Sequence, residues 1–371
     1  MDLLNYTHDA ILSFIHHVVI NHDDDPLKIF LVCYSKNRYD ELSKFVGSLK
    51  NITIKFVYLT NDKIVLNKQR ISWFFAFFSS KYIISNNVME RHPFKLKKQT
   101  EICINYYTAF KSDLVHKPKV NNIDYVIMPS KISSQIDSVA SHIPFSRYRY
   151  LGLPKEDHII NPRYTRKEIF DKLKMPADIK KMVLYAPTHR DYERSGGQKR
   201  NILGYDGDYH SLNEILKKYK AIFIIKIHGG QEKKHLVYIN NLSNIIIYKP
   251  SYEYTGEDIL PYVDLLVTDY SSIAFDFMLT GKPIIYNFFD KEKYEETRGF
   301  SWSPVELICA GPISKTKQEL ENAIEMQLQN NDCHNHYKQK YDWVNDLVHA
   351  YNDGNNCERI YLFINKLMLC G

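Results

Sequence analysis

The sequence is poor in cysteine, has no excess of glycine or proline, and contains no long hydrophobic run. Its six cysteines lie far apart, and no two of them form a CxxC pair. This spacing fits neither a disulfide framework nor a zinc site, and it favours a reducing compartment. Glycine and proline number 14 each among 371 residues, which excludes collagen-like and low-complexity chains. The composition is that of a globular protein.

Hydrophobic segments long enough to cross a membrane are also missing. The longest apolar run, "ISWFFAFFSSKYII" (71–84), is too short to span a bilayer. It fits either an interfacial membrane patch, with Trp73 and Phe77 in contact with lipid, or buried core beside the next strand. Asp2 and Asp9 interrupt the N-terminal segment, so no signal peptide is expected. The predicted location is the cytoplasm, with peripheral contact at the inner face of the membrane as an open expectation.

The charge balance is modest. Lys and Arg total 49 and Asp and Glu total 43, which gives a formal net charge of +6. This excess is too small and too scattered to indicate nucleic-acid binding, and no nucleic-acid-binding module is recognisable. It is compatible with an anionic substrate or an anionic membrane surface.

Short apolar runs alternate with segments of helical spacing along most of the chain. This alternation is typical of α/β domains with largely parallel sheets. The length allows two domains, which we predict at 1–160 and 161–371, with a turn-rich junction at 148–176 and a ligand cleft between the domains. The predicted strands fall within 27–35, 52–59, 81–87, 101–107, 124–130, 181–188, 221–228, 244–250, 263–272 and 282–288; predicted helices fall at 38–49, 210–220 and 271–281, and the tail from about residue 315 is helical in pattern.

A polar stretch separates two buried elements in "VDLLVTDYSSIAFDFMLTGKPIIYNFF" (263–289). The strand ends at Thr268, and Ser271 and Ser272 open the helix that follows. Helix N-termini present unpaired N–H groups and a partial positive charge, so a serine pair at this position can bind phosphate. Serine is also a common N-cap. The residues alone leave both interpretations open.

Other predicted strands of the second half also end in cationic or imidazole groups. "LYAPTHRD" (184–191) supplies Thr188, His189, Arg190 and Asp191 at the end of a strand. "IIKIHGG" (224–230) supplies Lys226 and His228, with two glycines that let a ligand approach the backbone. In parallel sheets, ligands bind at the carboxyl ends of the strands. Together with Arg298 of "RGF" (298–300), these groups predict a diphosphate pocket.

These segments also resemble a known family. The ordered series "LYAPTHRD", "TDYSS", "FD", "GKP" and "RGF" resembles the C-terminal half of CDP-glycerol glycerophosphotransferases, enzymes that build teichoic acids and related capsule polymers. "GNNCERI" (354–360) resembles their closing helix, and "LGLPKEDHI" (151–159) resembles their Gly-x-Pro-Arg-Asn-Asp turn. The resemblance covers about residues 180–300 most specifically.

The resemblance implies the glycosyltransferase B architecture: two Rossmann-like domains facing a central cleft, with the C-terminal helix crossing back. The C-terminal domain would bind CDP-glycerol or a related CDP-alditol, and the N-terminal domain a lipid-linked or polymeric glycan acceptor. Alditol phosphate would be transferred to an acceptor hydroxyl, releasing CMP. Neither a cofactor nor a metal is expected, because positive protein groups can neutralise the phosphates.

The resemblance also suggests individual roles. Ser271 and Ser272 would hold the diphosphate, while Arg298 and His228 would contact the transferred phosphate or its alditol. Asp276 fits either a contact to the ribose or a plain helix-face carboxylate. The remaining residues expected on the donor and phosphate side are Thr188, His189, Arg190, Lys226 and Asp269.

The general base departs from the family pattern. The family's Trp-His-Gly-x-x-x-Lys segment corresponds here to "INYYTAFKSDL" (104–114), in which Lys111 is assigned to the family's lysine on the acceptor side, one position earlier than the pattern places it. Tyr107 and Thr108 stand where His-Gly is expected, and a tyrosine with a pKa near 10 is a poor base at neutral pH. Three explanations stay open: another base, a changed acceptor or donor, or weak or lost activity. An active enzyme with a changed acceptor side is favoured, because the donor half is intact.

Two other functions stay open at this stage. One is a glycosyltransferase of the same architecture that uses a nucleotide sugar for surface-glycan synthesis. The other is an inactive binding subunit of a polymer-assembly complex. Donor screening distinguishes them, because only an alditol-phosphate transferase releases CMP from a CDP-alditol. The choice between glycerol and ribitol is not determined by the sequence.

Overall fold

A computed structural model describes most of the second half of the chain and parts of the first. The predicted helix at 38–49, most of the aromatic run at 71–84, and the predicted site residues Tyr107, Lys111, His189, Arg190 and His228 lie outside the described residues. The described ranges are 29–33, 55–58, 82–85, 95–104, 110, 123–188, 203, 208–226, 242–248, 256–329 and 331–370.

The chain forms two compact units. The first consists of residues 1–107, 114–157 and 348–371, and the second of 108–113 and 158–347. The closing segment therefore returns to the first unit, as the predicted architecture requires. The sequence-based ranges differ in that they placed the whole tail with the second domain and did not separate 108–113.

Ten helices lie within the described ranges. They are Lys131–Ser141, Pro154–Ile160, Arg166–Lys172, His210–Lys218, Gly256–Ile259, Ile273–Met278, Lys291–Thr297, Lys317–Gln329, Lys338–Val348 and Asn356–Cys370, numbered α1 to α10. In the part of the chain that the structure describes, no helix combines the length and the hydrophobicity needed to cross a bilayer.

The sheet of the first unit has six parallel strands. Ile29–Cys33, Lys55–Tyr58, Tyr82–Ser85, Thr100–Ile104, Tyr125–Met128 and Tyr148–Tyr150, numbered β1 to β6, lie in the order β2-β1-β3-β4-β5-β6. The side chains described on β3 to β5 are almost all buried, as expected for parallel strands covered on both faces. The junction expected at 148–176 is ordered, since it contains β6, α2 and α3.

The turn "LGLPKEDHI" holds the start of α10. Asp157 accepts hydrogen bonds from the backbone N–H groups of Asn356 (2.9 Å) and Cys357 (2.7 Å). The Asn356 amide donates to the Leu153 carbonyl (3.2 Å) and the Glu156 carboxylate (2.9 Å). The two bonds to Asp157 satisfy backbone N–H groups that the start of a helix leaves without intrahelical partners. The tail is therefore fastened to the first unit by buried polar contacts.

This arrangement predicts a pH effect at Asp157. Burial raises the pKa of its carboxyl above 3.8, although the N–H groups of Cys357 and Asn356 lower it. A carboxyl group whose pKa is higher in the folded than in the unfolded protein stabilises the fold at pH values below its unfolded pKa. That stabilisation is lost as the pH rises through the folded pKa. We expect the unfolding free energy of the wild type, minus that of Asp157→Asn, to fall as the pH rises from about 4 toward neutral. Urea unfolding across this range checks it; a difference that is flat or rises with pH would contradict it.

The second sheet also has six parallel strands. Lys181–Ala186, Ala221–Ile225, Ile245–Ile247, Leu265–Thr268, Ile284–Asn287 and Ile313–Ser314, numbered β7 to β12, lie in the order β12-β11-β10-β7-β8-β9. This is the strand order of dinucleotide-binding Rossmann sheets, in which the direction of winding reverses between the first and fourth strands. Ligands bind at such a reversal, which here lies between the carboxyl ends of β7 and β10.

Close backbone packing at the edge of this sheet requires a glycine. A Cβ atom at Gly311 would lie 1.9 Å from the carbonyl oxygen of Ile284 on β11. We expect Gly311→Ala to lower the unfolding free energy by about 1–3 kcal/mol, the usual cost of forced overpacking. Met326→Ala on α8, whose side chain is exposed, is the control and should change it by less than about 0.5 kcal/mol. Equal denaturation midpoints for the two variants would contradict this prediction.

Candidate active site

The loops after β7 and β10 are joined directly at the reversal. The Thr268 hydroxyl donates to the Ala186 carbonyl (2.7 Å). The Thr188 N–H lies 2.8 and 3.0 Å from the two carboxylate oxygens of Asp269, which is completely buried. A buried carboxyl group that accepts hydrogen bonds from a backbone N–H suits a positioning role better than contact with a phosphate. The Asp269 contact therefore sets the spacing of the two loops.

The serine pair occupies the start of α6 (Ile273–Met278). Ser272 is the N-cap residue, but its side chain makes no capping hydrogen bond to the helix. The carbonyl oxygens of Ser271 and Ser272 accept hydrogen bonds from the N–H groups of Ala274 (3.2 Å) and Phe275 (3.0 Å), respectively. Both serines are partly exposed. The Ser272 side chain therefore does not cap α6, and its role in binding an anion stays a prediction.

Two further predicted donor-side residues lie on neighbouring elements. Lys226 directly follows β8, where its N–H donates to the Tyr185 carbonyl of β7 (2.8 Å) and its side chain is partly exposed. Asp276 lies on α6 one turn after Ser272 and is only 5% exposed. The structure thus brings Thr188, Lys226, Asp269 and the serine pair to the carboxyl edge of one sheet. Asp276 lies deeper in the adjoining helix.

Arg298 lies at the end of α7 (Lys291–Thr297) and is partly exposed. Its N–H donates to the Tyr294 carbonyl (2.8 Å), and Gly299 then adopts a left-handed φ of 69° with its N–H bonded to the Glu295 carbonyl (3.0 Å). A glycine in this conformation is the usual way to end a helix. The "RGF" motif is therefore a helix-ending turn that redirects the chain directly after the arginine.

An aromatic cluster joins the serine loop to the arginine loop. Tyr270, which directly precedes Ser271, is completely buried and stacks on Tyr294 with ring centroids 4.3 Å apart. Its ring centroid lies 5.0 Å from that of Phe300 and 4.8 Å from that of Phe288. The Tyr270 hydroxyl donates a long hydrogen bond of 3.4 Å to Asp290. The aromatic residues inside the motifs thus hold the two loops against each other.

The lysine of "GKP" has a structural role. The Lys282 ammonium group donates to the carbonyls of Pro261 (2.6 Å) and Val263 (2.9 Å), and burial lowers its pKa. The Tyr341 hydroxyl donates to the Lys282 carbonyl (3.0 Å) and the Met278 carbonyl (3.1 Å). These bonds fix the turn between α6 and β11. They explain why a cation is present in this motif without assigning it to the ligand.

Phe110 is a functional-site neighbour that the sequence reasoning did not identify. It is completely buried in the second unit, and its ring stacks on Phe275 of α6 at 4.8 Å and 16°. Its carbonyl accepts the Ser301 N–H (2.9 Å). The only signal in the sequence was an aromatic residue within the segment expected to carry the general base.

Among the described residues, no group of three or more His, Cys, Asp or Glu side chains is placed to hold a metal ion. Because several predicted site residues lie outside those ranges, the expectation of metal-independent transfer stays a prediction.

The two six-stranded parallel sheets define an α/β protein of GT-B-like fold, with polar loops at the reversal of the second sheet. The chain matches the CDP-Glycerol:Poly(glycerophosphate) glycerophosphotransferase family over residues 9–366 and belongs to it. The predictions of family, fold class and enzymatic nature are therefore confirmed.

Two curated relatives show how far the similarity extends. Teichoic acid glycerol-phosphate primase of Bacillus subtilis (strain 168) is 26% identical over 317 residues, which are 79% of this chain and 76% of that protein. Teichoic acid poly(glycerol phosphate) polymerase of Staphylococcus epidermidis is 25% identical over 374 residues, which are 93% of this chain and 49% of that protein. The chain thus spans only about half the length of that polymerase.

Solved structures support the fold. The wall teichoic acid polymerase TagF is similar with a TM-score of 0.68 and 19% identity, and the alignment covers 97% of each chain. UDP-GlcNAc 2-epimerase from Neisseria meningitidis bound to UDP-GlcNAc is similar with a TM-score of 0.59 and 12% identity, over 96% of each chain. At these identities the similarity establishes the GT-B-like fold alone.

Proposed function

We propose that this protein transfers glycerol phosphate from CDP-glycerol to a hydroxyl group of a polymeric acceptor and releases CMP. The family match over residues 9–366 carries the proposal. The placement of the family's serine and arginine motifs on two loops packed against each other beside the reversal of the second sheet supports it. Relatives include both glycerol-phosphate and ribitol-phosphate polymerases, so CDP-ribitol is the alternative donor.

The reaction is a phosphoryl transfer with a simple balance. The acceptor oxygen forms a bond to the phosphorus that carries glycerol, and the bond from that phosphorus to the bridging oxygen breaks. CMP leaves with the electron pair of the broken bond, and the acceptor proton passes to a base. Positive groups and N–H groups that face the phosphoryl oxygens stabilise the charge that develops.

Individual roles in the proposal follow the family motifs. Ser271 and Ser272 bind the diphosphate, with Lys226 adding positive charge at the end of the adjoining strand. Arg298 and His228 contact the transferred phosphoryl group. Asp269 positions the two loops through Thr188 instead of binding phosphate. His189 and Arg190 are proposed on the donor side, and Asp276 as a ribose contact or a buried helix carboxylate.

The base and the acceptor are the least defined parts of the proposal. Tyr107 stands where the family pattern has histidine, and Lys111 lies one position before the place of the family's lysine. We propose an active enzyme whose acceptor differs from the usual one, with a lipid-linked teichoic acid or capsule precursor as the acceptor class. Such an acceptor would place the protein in peripheral contact with the inner face of the cell membrane.

CMP release from CDP-glycerol, CDP-ribitol and a panel of nucleotide sugars, each with a crude lipid acceptor, tests the proposal. We expect CMP from a CDP-alditol, a strong loss with Ser272→Ala or His228→Ala, and no loss with Lys217→Ala, whose exposed side chain pairs with Glu214. The Tyr107→Phe rate shows whether that hydroxyl takes part. Turnover of a nucleotide sugar alone would establish a glycosyltransferase, and silence with every donor would overturn the proposal.

A further inference from the structure

Phe110 lies in the segment "INYYTAFKSDL", which is divided between the two units. Residues 108–113 are grouped with 158–347, whereas the flanking ranges 1–107 and 114–157 belong to the first unit. The Phe110 side chain is 0% exposed. The Phe110 ring is thus buried in the core of the second unit, which also contains the serine and arginine loops.

Phe110 contacts the helix that follows the serine loop and the segment that follows the arginine. Its ring stacks on Phe275, three residues after Ser272 on α6, with centroids 4.8 Å apart. Its ring centroid is 6.3 Å from that of Tyr286 on β11. Its carbonyl accepts the N–H of Ser301, three residues after Arg298, at 2.9 Å. One residue thus touches the helix that follows the serines and the loop that follows the arginine.

We propose that Phe110 is a positioning residue for the transfer reaction. It holds α6, which follows Ser272, and the loop that follows Arg298 at a fixed separation. The inference rests on the proposed function. Phosphoryl transfer needs the diphosphate contacts and the arginine in place at the same moment, and a displacement of about 1 Å can cost about 100-fold in rate. Phe110 resists that displacement because its ring stacks on α6 and its backbone carbonyl is hydrogen-bonded to the segment after Arg298.

Phe110→Leu tests the inference, with Phe223→Leu as the matched control. Phe223 is equally buried, stacks on Tyr185 at 5.8 Å, and lies on β8 in the core of the same unit. We expect both variants to lose similar thermal stability. Only Phe110→Leu should lower kcat with CDP-glycerol, by about 10- to 100-fold, while its Kd for CDP-glycerol changes less than about threefold. Equal kcat losses in the two variants, or a kcat loss in Phe110→Leu that its Kd fully explains, would overturn the inference.

Hydrogen exchange of Ser301 gives a readout that does not require turnover. The Ser301 amide should exchange slowly in the wild type and in Phe223→Leu, and faster in Phe110→Leu. Fast exchange in the wild type would show that the hydrogen bond from the Ser301 N–H to the Phe110 carbonyl is absent. A wild-type protein without CMP release would overturn the proposed function and the catalytic part of this inference together, whereas turnover with equal effects in both variants would overturn the inference alone.

Discussion

Arg298→Ala should reduce kcat for CMP release from CDP-glycerol by about 100- to 1000-fold, the usual effect of removing one charge-stabilising donor from a transfer site. The arginine lies at the end of α7, where Gly299 turns the chain and the aromatic cluster fixes the loop. A guanidinium group can contact two phosphoryl oxygens at once. Its contribution should grow as charge develops in the transition state, so kcat should fall more than the affinity for CDP-glycerol.

Two variants sharpen this test. Arg298→Lys keeps the charge but loses the planar fork, so its rate should lie between those of the wild type and Arg298→Ala. Lys217→Ala removes an exposed cation of the same unit and should leave the rate unchanged. Steady-state kinetics and donor binding by calorimetry are the measurements. If Arg298→Ala raised Kd for CDP-glycerol as much as it lowered kcat/KM, Arg298 would be a ground-state ligand only.

Much of the sheet architecture was predictable from sequence because parallel strands leave a direct signal. "AIFIIKIH" predicted a strand within 221–228, and β8 occupies Ala221–Ile225. Continuous apolar runs of this kind are buried on both faces, so burial and sequence pattern agree. The strands Tyr148–Tyr150 and Ile313–Ser314 were missed. Both are only two or three residues long, and the first lies in a turn-rich stretch where tertiary pairing decides the conformation.

The candidate site was predictable in part, for a similar reason. Residues that lie just after a strand, such as Thr188, Lys226 and the serine pair, could be placed at the carboxyl edge of the sheet from the predicted strand ends. The role of Asp269 could not be predicted, because its hydrogen bond runs to Thr188, 81 positions away. Phe110 was missed because its contacts with Phe275 and Ser301 are long-range. Local pattern identifies which residues end a strand, but not what holds the loops together.

Tyr270→Ala should lower the free energy of unfolding by about 3–5 kcal/mol, the usual cost of truncating a fully buried aromatic side chain. The ring fills the space between Tyr294, Phe288 and Phe300 and has no exposed surface. Its removal leaves a cavity directly under the serine loop. Thermal and urea unfolding measure the loss, and donor binding should weaken as well, because Ser271 follows this residue directly.

Tyr270→Phe separates the ring from its hydroxyl. The hydrogen bond to Asp290 is long, at 3.4 Å, so its loss should cost no more than about 1 kcal/mol, and activity should persist. Trp343→Ala removes a larger side chain that is 51% exposed, and it should cost less than Tyr270→Ala because little buried surface is lost. A Tyr270→Ala variant as stable as Trp343→Ala would mean that the cluster does not hold the loops. Stability close to wild type in Tyr270→Phe, combined with lost turnover, would instead assign the hydroxyl a part in the reaction.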